Sequence, residues 1–343
     1  MSDVVPVIDI SGWFSGDPIE RRRIAGDLDA SCRNVGFQQI VGHGIDESLR
    51  QAVKDVADEF FRLPEAEKRR YVPPAPEINR GFSPHKTESL AYSIGTARPP
   101  DLVEAFLLGA DDFEAGDPYY EAEKHRAFVA NIWPERPAGM RDVLWTYFQD
   151  VRRLSHVMTD IVALALGLPE GFFEPMTDKS IDTLRINWYE RHAGDTVVEP
   201  DQMRLGAHSD YGILTLLMAD PVPGLQVLTK TGQWYDVLPL AEGFVMNVGD
   251  ALAVWTNDEW QSTLHRVVPP TLPGSQKRRS FAFFHDGNYD AVVECVPSCC
   301  TDTKPARYAP ITLGQHVMDK ILGGRALVDL TVATSTLSER AGR

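Results

Sequence analysis

The stretch of residues 181–296 constrains the fold more than any other part of the chain. It consists of short segments rich in β-branched and aromatic residues, separated by turn signals such as Val222-Pro223-Gly224 and Asp286-Gly287-Asn288. Short strands at this spacing are typical of an antiparallel barrel or jelly roll. We therefore predict a mainly β protein whose core is a jelly roll with flanking helices.

The first 135 residues predict a mixture of helices and short strands. Residues 5–10 are β-branched and apolar, which favours a strand, and a helical pattern opens at Pro18 and stops at Gly36. Asp46 is a candidate N-cap for a second helix, which ends before Pro64. Residues 72–135 contain many prolines and therefore predict irregular structure.

Two further helices flank the predicted barrel. Apolar residues at helical spacing predict a long core helix over residues 138–166, and residues 311–321 predict a closing helix. We therefore divide the chain into an N-terminal region of residues 1–135, a core of residues 136–322 and a loose polar tail of residues 323–343.

Charge and composition narrow the classes of function. A net charge of −15 and a pI near 5.0 disfavour nucleic acid as a partner, because binding to phosphate backbones needs a basic face. No apolar run reaches the roughly 18 residues that span a bilayer, and the first residues lack the pattern of a signal peptide, so we expect a cytoplasmic protein without a membrane partner. Cys295, Cys299 and Cys300 crowd one segment without a C-x-x-C pair, and we expect no second metal site there.

Two histidines and one aspartate form a candidate metal site. His208 and Asp210 are two residues apart at the start of a strand-like run, so their side chains face the same way. His265 lies in another extended segment, Ser262-Thr263-Leu264-His265-Arg266-Val267, and is the candidate third ligand. Two His and one carboxylate on one face leave positions of an iron ion open for oxygen chemistry. Histidines buried for structural reasons are the alternative.

Two more pairs with the same spacing predict a receptor for a buried anion. Arg278 and Ser280 point together if the segment is a strand, and a guanidinium beside a hydroxyl suits a carboxylate because the planar fork contacts both oxygens. Arg279, which lies between them, should face outward. Asn187 and Tyr189 form the other pair, for which packing within the strand is the alternative interpretation.

Motifs in both halves of the chain carry a family resemblance. In order, they include Val5-Pro6-Val7-Ile8-Asp9, Gly42-His43-Gly44-Ile45, Arg80-Gly81-Phe82, His208-Ser209-Asp210-Tyr211-Gly212, Asn247-Val248-Gly249-Asp250, Ser262-Thr263-Leu264-His265-Arg266-Val267 and Arg278-x-Ser280. With these motifs the chain resembles the isopenicillin N synthase-like family of Fe(II)/2-oxoglutarate dioxygenases over nearly its whole length. One departure is Glu190-Arg191, where many relatives have prolines, and it predicts a different loop before His208.

The resemblance implies a double-stranded β-helix with Fe(II) near one mouth. It also implies that 2-oxoglutarate chelates the iron through its keto acid end, while Arg278, Ser280 and Tyr189, with Asn187 nearby, hold its distal carboxylate. O2 would then be consumed, succinate and CO2 released, and a small-molecule substrate hydroxylated, desaturated or cyclised. Two alternatives stay open: an oxidase of the isopenicillin N synthase type that needs no 2-oxoglutarate, and a cupin-like protein that only binds a small ligand.

Two residues are candidates for contact with the substrate. Relatives present the segment around Arg80 toward the active site, so the resemblance makes Arg80 a candidate anchor for an acidic or amino-acid substrate, with a structural ion pair as the alternative. His285 ends the strand of Arg278 and is a candidate pocket residue, with a packed rim histidine as the alternative. The expected substrate is a small carboxylated metabolite, an amino acid or a peptide-like natural product.

Overall fold

The structure is a computed structural model that describes residues 4–91, 99–114, 116–121, 127–190, 199, 201–269 and 277–324. The described strands are β1 (Val7–Asp9), β2 (Phe37–Val41), β3 (Gly81–Ser83), β4 (Glu104–Gly109), β5 (Thr183–Tyr189), β6 (Leu205–His208), β7 (Leu214–Ala219), β8 (Leu225–Leu228), β9 (Trp234–Asp236), β10 (Phe244–Val248), β11 (His265–Val267), β12 (Arg278–His285), β13 (Val292–Val293) and β14 (Ile311–Thr312). The described α-helices are α1 (Pro18–Asn34), α2 (Glu47–Phe61), α3 (Glu65–Lys68), α4 (Met140–Ala165), α5 (Asp250–Trp255) and α6 (Leu313–Gly324).

Two sheets form the walls of a jelly roll. The large sheet has the strand order β1-β2-β10-β7-β12-β5-β4-β3, and the small sheet has the order β6-β11-β8-β9. Between them, Phe37 and Val245 of the large sheet share an apolar cluster with Leu225 and Val227 of the small sheet. This architecture confirms the predicted jelly-roll core with flanking helices.

The large sheet continues into the N-terminal region. β1 pairs with β2 in parallel, β2 pairs with β10 of the core, and β4 pairs with β5 along six residue pairs. The expectation of irregular structure over residues 72–135 is therefore wrong for β3 and β4. Every residue of β4 is buried, so it lacks the alternation that marks a half-exposed strand, and its single charge, Glu104, is neutralised by Lys68 at 2.7 Å. The division at residue 135 stays a prediction, and the sheet runs across it.

Aspartate side chains cap the first turns of α1 and α2. The Asp46 side chain accepts a hydrogen bond from the Ser48 amide at 2.6 Å and starts α2, as predicted, and Asp17 caps α1 in the same way. Gly36, just after α1, has φ +69°, and a Cβ there would lie 1.9 Å from the Gln261 carbonyl oxygen.

The long helix α4 covers the outer face of the large sheet. Its Phe148 ring packs edge-on against Phe283 of β12 with 5.1 Å between ring centroids. The predicted bounds of 138–166 are confirmed to within two residues. The predicted closing helix exists as α6, although Ile311 and Thr312 form β14 rather than its first turn. No helix in the described ranges combines the length and apolar character needed to cross a bilayer.

Candidate active site

The structure brings the three predicted metal ligands together between the two sheets. His208 ends β6, Asp210 follows two residues later, and His265 starts β11, directly opposite His208 in the strand pairing. Nε2 of each histidine lies 3.7 Å from Oδ1 of Asp210, and all three side chains are buried. Within the described ranges, no other group of three or more His, Cys, Asp or Glu side chains converges in this way.

Backbone carbonyls orient the two imidazole rings. Nδ1 of His208 lies 2.8 Å from the Gly206 oxygen, and Nδ1 of His265 lies 3.1 Å from the Thr263 oxygen. A carbonyl only accepts, so each Nδ1 carries the hydrogen and each Nε2 keeps its lone pair. Burial, followed by the neighbouring His265, lowers the pKa of His208 to about 4, so this ring is neutral and able to bind a metal at neutral pH.

Two polar side chains of the large sheet orient Asp210. Its Oδ2 accepts hydrogen bonds from Thr215 Oγ1 and from Asn247 Nδ2, the latter at 2.7 Å, which leaves Oδ1 toward the histidines. Burial acts to raise the pKa of Asp210, but the neighbouring His265 and His208 and these hydrogen bonds prevail and lower it. Sequence analysis did not assign a role to Thr215 or Asn247. The available signal was a single polar residue inside each buried apolar strand.

The donor set fits Fe(II). Two imidazole nitrogens and one carboxylate oxygen lie within 4.8 Å of one another. Such a facial set leaves the other coordination positions of an iron ion open. The carboxylate is already ionised and the imidazole hydrogens already point away, so the side chains need little rearrangement to bind the ion.

The predicted anion receptor forms a square of four side chains on adjacent strands. Arg278 of β12 lies opposite Tyr189 of β5, and Ser280 lies opposite Asn187. All four side chains are buried, and the Arg278 Cζ lies 5.2 Å from the centre of the Tyr189 ring. Arg279 faces the other way, as expected, and forms ion pairs with Asp220 and Asp58. The four residues stay candidates for co-substrate binding.

The Arg278 guanidinium lacks a strong partner within the described part of the protein. It is 1% exposed, yet none of its three nitrogens makes a well-oriented hydrogen bond to any described residue. Burial lowers the pKa of Arg278, and the nearby Tyr189 and Asp220 act in the opposite direction. A buried guanidinium in this state is suited to a carboxylate that arrives with a ligand.

A cavity opens onto His208 and Asp210. Polar side chains and aliphatic or aromatic side chains share its wall, and these are Asn79, Glu88, Leu90, Leu107, Thr183, Arg185, Tyr211, Phe284, Asp286, Val317, Lys320 and Ile321. Glu88 and Arg185, which form an ion pair at 2.8 Å, were not predicted as site residues from the sequence. Arg185 shares the strand face of Asn187 and Tyr189, and this spacing was the signal for it.

The structure places Arg80 behind the cavity wall. Its guanidinium donates to the backbone oxygens of Asn79 and Ala127 at 2.9 Å each and lies so close to Gly109 that a Cβ there would be 2.3 Å from Cζ. Burial lowers the pKa of Arg80 to about 10, although the charge of Asp111 opposes the shift. This position favours a structural role over the substrate anchor, through hydrogen bonds to backbone carbonyls rather than through the ion pair that was the expected alternative. The cavity residue is the preceding Asn79.

His285 lies on the opposite face of β12 from Arg278. Its Nδ1 is 3.0 Å from Asp182 Oδ1, and its ring packs edge-on against His156 of α4 with 5.2 Å between centroids. The ring is fully buried beneath α4, which favours the packed-histidine alternative. The neighbouring Phe284 lines the cavity instead.

The loop that departs from the family pattern is only partly described. The Glu190 carboxylate accepts a hydrogen bond from the Trp188 indole at 3.1 Å. Arg191 and His192, which follow it, lie outside the described residues. The expected change in loop shape before His208 stays a prediction.

Two family models match most of the chain. Residues 5–136 match the model described as non-haem dioxygenase in morphine synthesis N-terminal, and residues 180–287 match the 2OG-Fe(II) oxygenase superfamily. The second match spans the three triad residues and the four residues around the anion receptor.

Named proteins and solved structures are similar to almost the whole chain. The 2-oxoglutarate-Fe(II) type oxidoreductase hxnY of Emericella nidulans is 33% identical over 91% of this chain and 88% of its own length. The homoarginine-6-hydroxylase 2-ODD-233 of Oryza sativa subsp. japonica is 34% identical over 93% of this chain and 96% of its own length. The crystal structure of a full-length Neurospora crassa protein in complex with alpha-KG and thymine has a TM-score of 0.79 and 27% identity, and it covers 94% of this chain and 98% of that chain.

Proposed function

The chain belongs to the 2-oxoglutarate–Fe(II) oxygenase superfamily, and we propose that His208, Asp210 and His265 are the residues that hold its iron. The family confirms the predicted enzyme class, an Fe(II)- and 2-oxoglutarate-dependent oxygenase that oxidises a small molecule. An oxidase independent of 2-oxoglutarate and a non-enzymatic binding protein are not favoured. The cytoplasmic location expected from the sequence stays a prediction.

One observation carries the assignment of the co-substrate site. The buried Arg278 guanidinium faces the barrel interior without a well-oriented hydrogen bond to a described residue, and a fork of this kind matches the distal carboxylate of 2-oxoglutarate. Ser280 and Tyr189 lie beside it and offer hydroxyl groups to the same carboxylate. Burial raises the pKa of Tyr189, so its hydroxyl keeps its hydrogen for donation.

The protein's own contribution to the reaction is to position and enclose the reactants. Bound at the triad, Fe(II) supplies O2 activation, in which 2-oxoglutarate is decarboxylated to succinate and CO2 and a substrate C–H bond is oxidised. Arg278 and Ser280 fix the far end of the co-substrate, and the cavity wall presents the substrate to the triad from the other side. Thr215 and Asn247 keep the Asp210 carboxylate turned toward the ion.

Near Arg185, the cavity favours a compact, polar part of the substrate without net charge. Glu88 compensates the charge of Arg185 at 2.8 Å, so a lone carboxylate would compete with Glu88 for the guanidinium. Phe284 and Tyr211 add ring surfaces, and Asn79 adds an amide. A neutral heterocycle or a zwitterionic amino acid matches the charges of this part of the wall. A simple carboxylated metabolite matches them less well. Thymine is bound in the similar Neurospora crassa structure, which supports this range of sizes.

An anaerobic titration tests the co-substrate, and a substrate panel tests the rest. Fe(II) protein should develop the weak visible charge-transfer band of an iron-bound 2-keto acid as 2-oxoglutarate is added. Succinate formation should then rise with pyrimidine bases or amino acids above its level with simple carboxylates. If neither the band nor succinate forms at millimolar 2-oxoglutarate, the oxidase that needs no 2-oxoglutarate becomes the favoured interpretation. A panel that responds only to simple carboxylates would contradict the proposed charge of the substrate.

A further inference from the structure

A chain of buried and partly buried hydrogen bonds connects the wall of the cavity to the anion receptor. Ser83 donates to Glu88 Oε1 at 2.8 Å, and Arg185 Nη1 donates to Glu88 Oε2 at 2.8 Å. Arg185 Nε donates to Asn187 Oδ1 at 2.7 Å, and Asn187 Nδ2 donates to Ser280 Oγ at 3.3 Å. The chain thus runs from Glu88 and Arg185, which line the cavity, to Ser280 of the anion receptor.

Chemistry fixes the direction of every bond in this chain. A guanidinium only donates, so the oxygen of the Asn187 amide must face Arg185 and its NH2 must face Ser280. The Ser280 hydroxyl therefore accepts from Asn187, and its own hydrogen is left to point toward an acceptor near Arg278. Without Arg185, the Asn187 amide is free to turn over and take the Ser280 hydrogen for itself.

We propose that Glu88, Arg185 and Asn187 form a relay that sets the donor direction of the Ser280 hydroxyl and thereby couples the substrate cavity to 2-oxoglutarate binding. The proposal rests on the proposed function, because it takes Ser280 as a contact of the co-substrate. Asn187 and Arg185 are positioning residues in this scheme. A ligand that engages Arg185 in the cavity changes the affinity for 2-oxoglutarate, and 2-oxoglutarate changes the affinity for that ligand by the same factor.

The charge-preserving variant Arg185→Lys tests the relay. Lysine keeps the positive charge, but its single ammonium lacks the fork that spans Glu88 and Asn187 together. The apparent affinity for 2-oxoglutarate, read from the charge-transfer band of anaerobic Fe(II) protein, should fall by about tenfold, the usual scale for one misdirected buried hydrogen bond. Iron content should stay at the wild-type level. The matched control is Arg152→Lys, which removes an arginine fork on α4 and should leave the affinity unchanged.

A double-mutant cycle separates the relay from a general loss of packing. Asn187→Ala should lower the apparent affinity for 2-oxoglutarate by about tenfold. The double variant Arg185→Lys/Asn187→Ala should lose about as much affinity as either single variant, because both changes break the same chain of hydrogen bonds. The isosteric Asn187→Asp keeps the shape and the bond to Arg185 but has no NH2 for Ser280. It should lower the affinity at least as far as Asn187→Ala, even if the alanine variant is poorly folded.

Three outcomes would overturn the relay. They are wild-type affinity in Arg185→Lys, an additive loss of about a hundredfold in the double variant, and wild-type affinity in Asn187→Asp. Wild-type protein that failed to bind 2-oxoglutarate at all would overturn the proposed function together with the relay. Wild-type binding with an unaffected Arg185→Lys would overturn the relay alone.

Discussion

The metal triad and the anion receptor are prepared for their ligands in opposite ways. At the triad, the ring nitrogens that face away from the ion lie against backbone carbonyls, and the outer oxygen of Asp210 accepts two hydrogen bonds. At the receptor, the Arg278 guanidinium is buried without a well-oriented hydrogen bond from it to the described part of the chain. The first site is oriented by the satisfied groups around it, and the second keeps a buried guanidinium without a well-oriented hydrogen bond to the described residues.

The metal site therefore depends on the orientation of its donor atoms, whereas the anion receptor depends on electrostatic attraction to its ligand. A metal ion needs three donors aimed at one point, so the protein fixes each donor by its other atoms. A carboxylate needs a desolvated positive charge, and this charge is unfavourable until the ligand arrives. We therefore expect the iron site to depend on several residues, and co-substrate affinity to depend mainly on Arg278.

Removal of a triad ligand should have the largest effect. His208→Ala, Asp210→Ala and His265→Ala should each abolish iron retention and turnover, because only three protein donors converge on the site within the described ranges. Iron analysis after desalting gives the result, and far-UV circular dichroism checks that the fold persists. Normal iron content in His265→Ala would show that the third ligand is a different residue.

Replacement of Arg278 should have the next largest effect. Arg278→Gln leaves the distal carboxylate of 2-oxoglutarate without its ion partner in a buried site, which typically costs roughly 2–5 kcal/mol, or about a hundredfold or more in affinity. The anaerobic titration measures this loss, and iron content should be unchanged because Arg278 is not a ligand. Equal loss of iron would mean that the two sites are not separable as described.

Removal of a hydrogen bond to the Asp210 carboxylate should have a smaller effect, and it should change only the affinity for iron. Thr215→Val and Asn247→Ala each remove one hydrogen bond to Oδ2, and changes of this kind typically lower metal affinity by about 10–100-fold. Competition with a chelator measures iron affinity in each variant. Unchanged affinity in both variants would mean that these two contacts do not orient Asp210 for the ion.

Arg80 provides a contrast to Arg278, because its buried guanidinium donates hydrogen bonds to two backbone carbonyls. Arg80→Met removes donors from two backbone carbonyls and should lower the free energy of unfolding by about 1–3 kcal/mol, with 2-oxoglutarate affinity unchanged. Chemical denaturation measures the first quantity and the anaerobic titration the second. A raised KM for the substrate with unchanged stability would restore the role of substrate anchor.

Side-chain spacing within one strand was predictable, and pairing between strands was not. The spacing of two residues placed His208 with Asp210, Arg278 with Ser280 and Asn187 with Tyr189. That Arg278 lies opposite Tyr189 depends on the register between β5 and β12, which are about ninety residues apart in the chain, and local patterns do not encode such a register.

His285 and the strand β4 lie where the sequence-based interpretation did not place them, for different physical reasons. His285 lies seven residues after Arg278, an odd spacing that puts it on the other face of β12, so the sequence contained the answer. The strand β4 is hidden from pattern analysis, because it is buried on both faces and stands in a proline-rich segment. Glu88 lies in a loop, and only tertiary contacts bring it to Arg185.

The wall of the cavity includes Val317, Lys320 and Ile321 of α6, a helix that follows the last residue matched by the oxygenase family model. None of these three residues belongs to the triad or to the anion receptor. Exchange of this one helical face can therefore alter which molecule is admitted while the machinery that handles iron and 2-oxoglutarate stays the same. For protein engineering, we therefore expect α6 to be a segment in which substrate selectivity can be changed separately from the binding of iron and 2-oxoglutarate.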